Sequence, residues 1–520
     1  MKNAKTDLLR MLQKAFKKAL QKNDPEGFKA SEKQDASRRD FLRKTFIGVA
    51  GLAAQKALAN ANYFTRFADA PQHFTIGILG AGVAGLHAAY VLQNANIKAT
   101  VFEASNRTGG RMYTAKGMLG KGITTELGGE FIDSNHADII ALAKKFGLKR
   151  IDTDKDKHLT KQIFYFDEKK YTAKDLVTAL VPHVVSIKAD IDSLPEIITY
   201  NNFGTADKWD KMSIAAYLDS KGINGWLKNM LTIAFTTEYG LDITEQSAIN
   251  LLFLFSPETA GQELFGESDE RYKIKGGNQR IVDELAERVG TVKTGYEATK
   301  IKSDGKGFKV SFANGQTEKF DYLICCIPFT KLRSVTLEIN GMTDVKKKCI
   351  AELGYGRNAK MFAGFKSRYW RSQNASGQTF SNLPFQLGWD SSQLQKGTAG
   401  GYTFLTGGVM SDKMIDKTVP EKVNEYVSQL EKIFPGATEN YNGINNIFYW
   451  PTHPHTLASY ACYKPGQWTT IGGAEIEPVG NMFFAGEHCS SSFQGYMNGG
   501  AETGRRAAEN LMEVLKNKKK

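Results

Sequence analysis

Phe74-Thr-Ile-Gly-Ile-Leu-Gly80-Ala-Gly82-Val-Ala84-Gly85 begins as a short apolar run and turns through three glycines. The run suits a central parallel strand, buried on both faces. Leu86, Ala89, Val91 and Leu92 follow at helical spacing, and Lys98 to Phe102 reads as a second strand that ends at Glu103. Strand, glycine turn, helix and strand, with an acid 18 residues beyond the last glycine, form a dinucleotide-binding unit. Gly80 permits the tight turn, Gly82 lets backbone come up against a pyrophosphate, and Gly85 lets helix pack on strand. The first helical turn, with Ala84, presents unpaired N–H groups to phosphate. Glu103 is placed to accept hydrogen bonds from the ribose hydroxyls of an adenosine. An incidental glycine-rich turn leaves Glu103 unexplained.

The chain has 520 residues, several times the usual domain size, so more than one domain is expected. An apolar fraction of 41% and a charged fraction of 24% exclude a disordered, collagen-like or disulfide-scaffold protein. The net charge of +13 raises the question of nucleic acid, and its location answers it. Residues 1–59 hold 14 Lys and Arg against 6 Asp and Glu, which is +8 of the total. The body is only mildly basic, and no nucleic-acid partner is expected.

Residues 1–61 read as an export segment with a long basic leader. Ser37-Arg38-Arg39-Asp40-Phe41-Leu42-Arg43 is a twin-arginine pattern, followed by the apolar run Phe46 to Ala54 and by Ala57-Leu58-Ala59. The run is too short to span a bilayer. Twin-arginine (Tat) export machinery is therefore an expected partner, with a periplasmic or secreted location. A second reading of the arm is a basic surface helix, since Leu8, Leu9, Leu12, Phe16 and Leu20 form an amphipathic stripe. The five cysteines show no metal spacing, and Cys325 and Cys326 sit in the apolar run Tyr322 to Ile327, as buried strand residues do.

Further blocks specify the dinucleotide. Ala104-Ser-Asn-Arg107-Thr-Gly109-Gly110-Arg111 is followed by Glu126-Leu-Gly128-Gly129-Glu130-Phe131; near the other end stand Phe484-Ala-Gly486-Glu487-His488 and Gly495-Tyr496-Met497-Asn-Gly-Gly-Ala-Glu-Thr-Gly504-Arg-Arg-Ala-Ala508. In order and spacing these resemble the flavin-dependent amine oxidase family of monoamine, polyamine and L-amino acid oxidases, over about residues 74–512. The resemblance implies FAD. It assigns Arg111, Gly128, Gly129, Gly486, Glu487, Gly495 and Met497 to the cofactor, and Ala298 to the adenine. Arg111 also suits phosphate through its forked donors.

The resemblance also implies an α/β fold of two discontinuous domains: a Rossmann-like FAD domain over 74–138, 268–333 and 457–516, and a substrate domain over 139–267 and 334–456. Local patterns agree, with helical spacing at Ile139 to Phe146 and Ile281 to Val289 and strand-like stretches at Phe308 to Phe312 and Lys360 to Phe365. Pocket shape is expected from residues 150–265.

Three residues carry the expected chemistry. Lys360 matches the family's lysine that reaches flavin N5 through a water, and a lysine within an apolar strand is costly to bury without a role. Tyr496 matches one wall of an aromatic cage that orients the amine. Tyr460 fits the second wall, with Tyr463 as the alternative. Covalent flavin attachment in some monoamine oxidases uses a cysteine that here aligns with Ala458, while Cys462 lies four residues out of register, so FAD is expected to be non-covalent. Where L-amino acid oxidases carry a carboxylate-clamping arginine, this chain has Glu130-Phe131.

These features point to an oxidoreductase acting on CH–NH2 groups, with amine, water and O2 giving aldehyde, ammonia and hydrogen peroxide. The alternative is an L-amino acid oxidase whose clamp comes from elsewhere, such as Arg357. A flavin desaturase is disfavoured by the filled lysine and tyrosine positions, and a basic binding protein by the intact cofactor-contact positions.

Overall fold

Ile76–Leu79 is buried at every position, as a strand without a polar face must be. It is the middle member of an all-parallel sheet ordered Met482–Phe484, Tyr322–Cys325, Ile76–Leu79, Thr100–Phe102, Val292–Lys293. The computed structural model describes residues 7–23, 25, 73–255, 269–290 and 292–517.

Alternation along these strands covers both faces. Ile78, Val101 and Ile324 pack with Leu86, Leu285 and Leu511 from the helices Val83–Asn94, Gln279–Val289 and Met497–Asn517. Leu79, Phe102 and Cys325 face the other way, toward Phe312 and Phe320 of a four-stranded sheet. Phe102 stacks on Phe312 with ring centroids 4.9 Å apart.

The C-terminal helix lies directly against Val83–Asn94. A Cβ at Gly504 would stand 2.1 Å from the carbonyl oxygen of Ala84, so glycine alone allows this approach. His87 Nδ1 is 2.8 Å from the carbonyl of Ala501. The C-terminal helix is thereby joined to the helix that follows the glycine turn.

A seven-stranded sheet forms the other half, ordered Tyr441–Tyr449, Ala359–Phe365, Gly400–Thr406, Leu387–Asp390, Ala375–Ser381, Thr160–Phe166, Lys169–Tyr171. Its strand Ala359–Phe365 is wholly buried, Lys360 included. The α/β class expected from the sequence is the fold found, and the expected helices and strands are present with ends shifted by one or two residues.

The arm gives a partial correction. Helix Asp7–Asn23 is no exposed basic helix: Leu12, Phe16 and Leu20 are buried against the helices Ala173–Leu180, Val184–Asp192 and Ala248–Phe255. Phe16 meets Phe255 with centroids 5.0 Å apart, and Gln13 Nε2 donates to the carbonyl of Leu254 at 2.6 Å. Arg38-Arg39, the run 46–54 and Ala57 to Ala59 lie outside the described residues. Among the described residues no helix is long and apolar enough to cross a membrane. All five cysteines are free thiols.

Candidate active site

One continuous cavity of about 340 Å³ runs from the glycine turn to the seven-stranded sheet. At its first end Gly80 adopts φ +105°, and a Cβ on Gly85 would lie 2.0 Å from the carbonyl oxygen of Gly80. A Cβ on Gly82 would meet nothing within 4 Å. The turn is thus closed by one glycine and left open to the cavity by another. Helix Val83–Asn94 begins there with no acidic side chain in its first turn, so its N-terminal N–H groups keep their full attraction for an anion. Glu103 is buried, with Oε2 accepting from the N–H of Ala81 at 2.7 Å and Oε1 from the N–H of Ser105 at 2.9 Å. This end offers a phosphate cradle beside a fixed carboxylate, and those features fit an adenine dinucleotide.

Gly80, Gly82, Ala84, Glu103, Arg111, Gly128, Gly129, Ala298, Gly486, Glu487, Gly495 and Met497 all line this cavity, together with Lys360, Tyr460 and Tyr496. Gly85 stands behind the turn, where it packs helix on strand. The choice between two tyrosines is also visible. Tyr460 lies on the cavity and donates its hydroxyl to the carbonyl of Thr237 at 3.0 Å. Tyr463 lies in the core, its ring 4.2 Å from that of Trp468 and its hydroxyl bonded to Glu475. Cys462 is fully buried away from the cavity, and Cys326 is the only cysteine lining it, beside Gly80 at the nucleotide end.

Glu487 does more than line the wall. Its carboxylate accepts from Arg111 Nη1 at 2.7 Å, from the N–H of Gly495 at 2.8 Å and, at 3.3 Å, from that of Ala461. One buried acid therefore joins the segments that carry Arg111, Tyr460 and Tyr496. Tyr496 is further set by His136, whose ring meets it edge-on at 4.8 Å.

Helix Gly225–Tyr239 brings Thr237 and Glu238 to the cavity and ends at Gly240, φ +74°. A Cβ there would fall 2.1 Å from Asn358 Oδ1, so glycine lets the helix end dock on residues 356–358. Asn358 Nδ2 then donates to the carbonyl of Thr237 at 3.1 Å, the acceptor that Tyr460 also uses.

Lys360 and Glu130 form the centre of the wall. Lys360 Nζ donates to the carbonyl of Glu126 at 3.0 Å, to that of Gly128 at 2.9 Å and to Glu130 Oε2 at 3.0 Å. An ammonium has three N–H groups, so all are committed to protein acceptors. A water-mediated role for Lys360 requires one of them to be released. Burial alone would raise the carboxyl of Glu130, but the ammoniums of Lys273 and Lys360 outweigh it and hold the group below its ordinary range. Glu130 is therefore no free anion facing an amine. Nearby Glu126 is pushed up to about 7 by burial, against hydrogen bonds from Asn278 and Thr114.

Beyond Lys360 the cavity is walled by Phe131, Phe380, Leu387, Trp389 and Leu405, with Glu238, Glu270 and Asp133 as acids in addition to Glu130. Among the described residues of the stretch 150–265 expected to shape the pocket, Thr237 and Glu238 line the cavity, and the strands within 375–406 supply more of the described wall; residues 256–265 lie outside the described residues. Gln378 Nε2 donates to Glu270 Oε2 at 2.9 Å. Trp389 contacts Phe131 edge-on at 5.8 Å and lies 5.2 Å from Lys360 Nζ. Nothing in the sequence distinguishes Trp389 from a core aromatic. Arg357 does not line the cavity: its Nη2 is bonded to Glu245 at 2.7 Å and Asp242 at 3.3 Å, so it cannot serve as the carboxylate clamp.

The family described as flavin containing amine oxidoreductase matches residues 83–512. An L-amino acid dehydrogenase of Synechocystis is 25% identical over 460 residues, covering 84% of this chain and 94% of its own. A flavin-containing amine oxidase of Danio rerio is 24% identical over 471 residues, covering 84% and 86%. Among solved structures, wild-type putrescine oxidase bound to putrescine shares the fold with TM-score 0.73 at 18% identity, covering 85% of this chain and 99% of its own. Cyclohexylamine oxidase from Brevibacterium oxydans gives 0.74 at 21%, with the same coverage.

Proposed function

Since the chain belongs to the family of flavin-containing amine oxidoreductases, we propose that it is an FAD-dependent oxidase of small cationic amines, converting amine, water and O2 to aldehyde, ammonia and hydrogen peroxide. FAD, when bound, supplies the two-electron acceptor for the C–NH2 group. Gly82 and the first turn of Val83–Asn94 would hold its pyrophosphate, Glu103 its ribose, and the wall from Arg111 to Met497 the remainder.

The protein's own part is to bind, orient and dry the substrate. Tyr460, fixed through Thr237, and Tyr496, fixed through His136, present two aromatic rings to the cavity. Electron-rich ring faces accept a cation and restrict its approach. Phe131, Phe380 and Trp389 exclude water, which strengthens every charge interaction inside.

The observation that carries amines over amino acids is the charge of the inner end. It is lined by Glu238 and Glu270, its one lining cation is the fully bonded Lys360, and the lining arginines, Arg107 and Arg111, are held at the cofactor segments by Gly110 and Glu487. A substrate carboxylate has no arginine to meet among the described residues. Peroxide release from tyramine but not from L-phenylalanine supports this reading; the reverse pattern overturns it.

The cellular location is a separate proposal. Ser37 to Arg43 supports export by the twin-arginine route, and replacing Arg38 and Arg39 by lysine is expected to leave activity in the cytoplasm.

A further inference from the structure

Lys273 lies beside the candidate active site yet lines no part of its cavity. It belongs to strand Tyr272–Ile274, and its neighbour Tyr272 exchanges both backbone hydrogen bonds with Ile132, at 2.8 and 2.9 Å. That bridge sets Lys273 against the Glu130-Phe131 segment. Its Nζ donates to Glu130 Oε1 at 2.9 Å and stands 4.8 Å from the Phe131 ring. Glu130 Oε2 is taken by Lys360 at 3.0 Å. The three side chains are each less than a tenth exposed. The charge of Lys273 also reaches the buried carboxylate of Asp390, which is bonded by Ser392 and lies near Arg368.

The result is a buried Lys–Glu–Lys chain with one carboxylate between two ammoniums. A lone Glu130–Lys360 pair leaves one carboxylate oxygen without a charged donor and the carboxylate free to rotate. With Lys273 on the other oxygen, Glu130 is pinned at both ends. Lys360, whose remaining N–H groups go to two carbonyls, then has a single arrangement.

We propose that Lys273 is a positioning residue: by holding Glu130 it fixes Lys360 as a fully bonded ammonium on the cavity wall, acting on the flavin as fixed charge. The inference rests on the flavin occupying this cavity. A cation near the ring favours the reduced, more negative flavin, and an anion disfavours it. The lysines and the glutamate of the chain therefore push the flavin in opposite directions, which a purely structural role does not do.

The test is spectroelectrochemical titration of the purified holoenzymes. Lys273→Met and Lys360→Met are expected to move the flavin midpoint potential to more negative values, Glu130→Gln to more positive values, and Lys273→Arg to leave it at the parent value. Anaerobic flavin reduction by tyramine is expected to slow about tenfold or more in Lys273→Met and to recover in Lys273→Arg. If Lys360→Met moves the potential while Lys273→Met and Glu130→Gln do not, this proposal fails and the site stands. If Lys360→Met also leaves it unmoved, the placement of the flavin beside Lys360 fails with it. Should Lys273→Met not fold, Lys273→Gln and Glu130→Gln carry the same comparison.

Discussion

Arg111 Nη1 and Glu487 Oε1 meet at 2.7 Å, joining the second glycine block of the sequence to one nearly 400 residues later. The same carboxylate accepts from Gly495 and Ala461, so the pair is the knot that holds both candidate tyrosines to the cofactor wall. Glu487→Ala leaves Arg111 half-buried without its anion and releases two backbone donors, a change that typically costs about 3–5 kcal/mol. FAD affinity is expected to fall at least about tenfold, together with Tm. A variant with parent-like FAD affinity and Tm would refute the role given to this pair.

FAD is expected to leave the protein on acid precipitation. Cys462 is buried in the core, and Cys326 lies at the nucleotide end of the cavity, where it has no access to the ring system expected near Lys360. Yellow colour in the supernatant is the expected result; flavin retained on the denatured chain contradicts it.

Glu126 gives the protein a pH dependence of known sign. Its folded carboxyl titrates at about 7, above its value near 4.5 in the unfolded chain. The stability it contributes is complete below pH 4.5 and is lost as the pH rises through 7, by on the order of 3 kcal/mol. Glu126→Gln should flatten unfolding midpoints measured between pH 5 and 8. An unchanged slope would assign the pH dependence to other groups.

The fold was legible because its central unit is local. Gly80, Gly82, Gly85 and Glu103 lie within 24 consecutive residues, and each has a separate mechanical reason. Lys360 was legible for a different reason, as the one charge in an apolar strand. Lys273 was not, since its meaning comes from a bridge between Tyr272 and Ile132, 140 residues apart in sequence. Trp389 and Glu238 were silent for the same cause: each reads as an ordinary strand or helix residue until the cavity forms around it. The apolar stripe of the arm reads in the sequence as a surface helix, and its burial depends on helices 150 or more residues away.

That helix leads to a further expectation. Leu12, Ala15, Phe16, Ala19 and Leu20 are all at or below 5% exposure, so removing residues 1–25 uncovers their partners on three helices. The truncated protein is expected to lose several degrees of Tm or to aggregate, and a 1–25 peptide added in trans should restore part of the loss. Parent-like stability without the helix would show that its packing adds nothing. After cleavage behind Ala59 the released helix is expected to stay bound and co-purify with the body.

The central claim is that this cavity oxidises cationic amines on a bound flavin. Anaerobic mixing of the purified holoenzyme with matched pairs of primary amines and L-amino acids tests it most directly, because flavin bleaching reports the chemical step without regard to the final acceptor. Amines such as tyramine are expected to bleach the flavin, and the corresponding amino acids to leave it oxidised. Bleaching by the amino acids alone would contradict it.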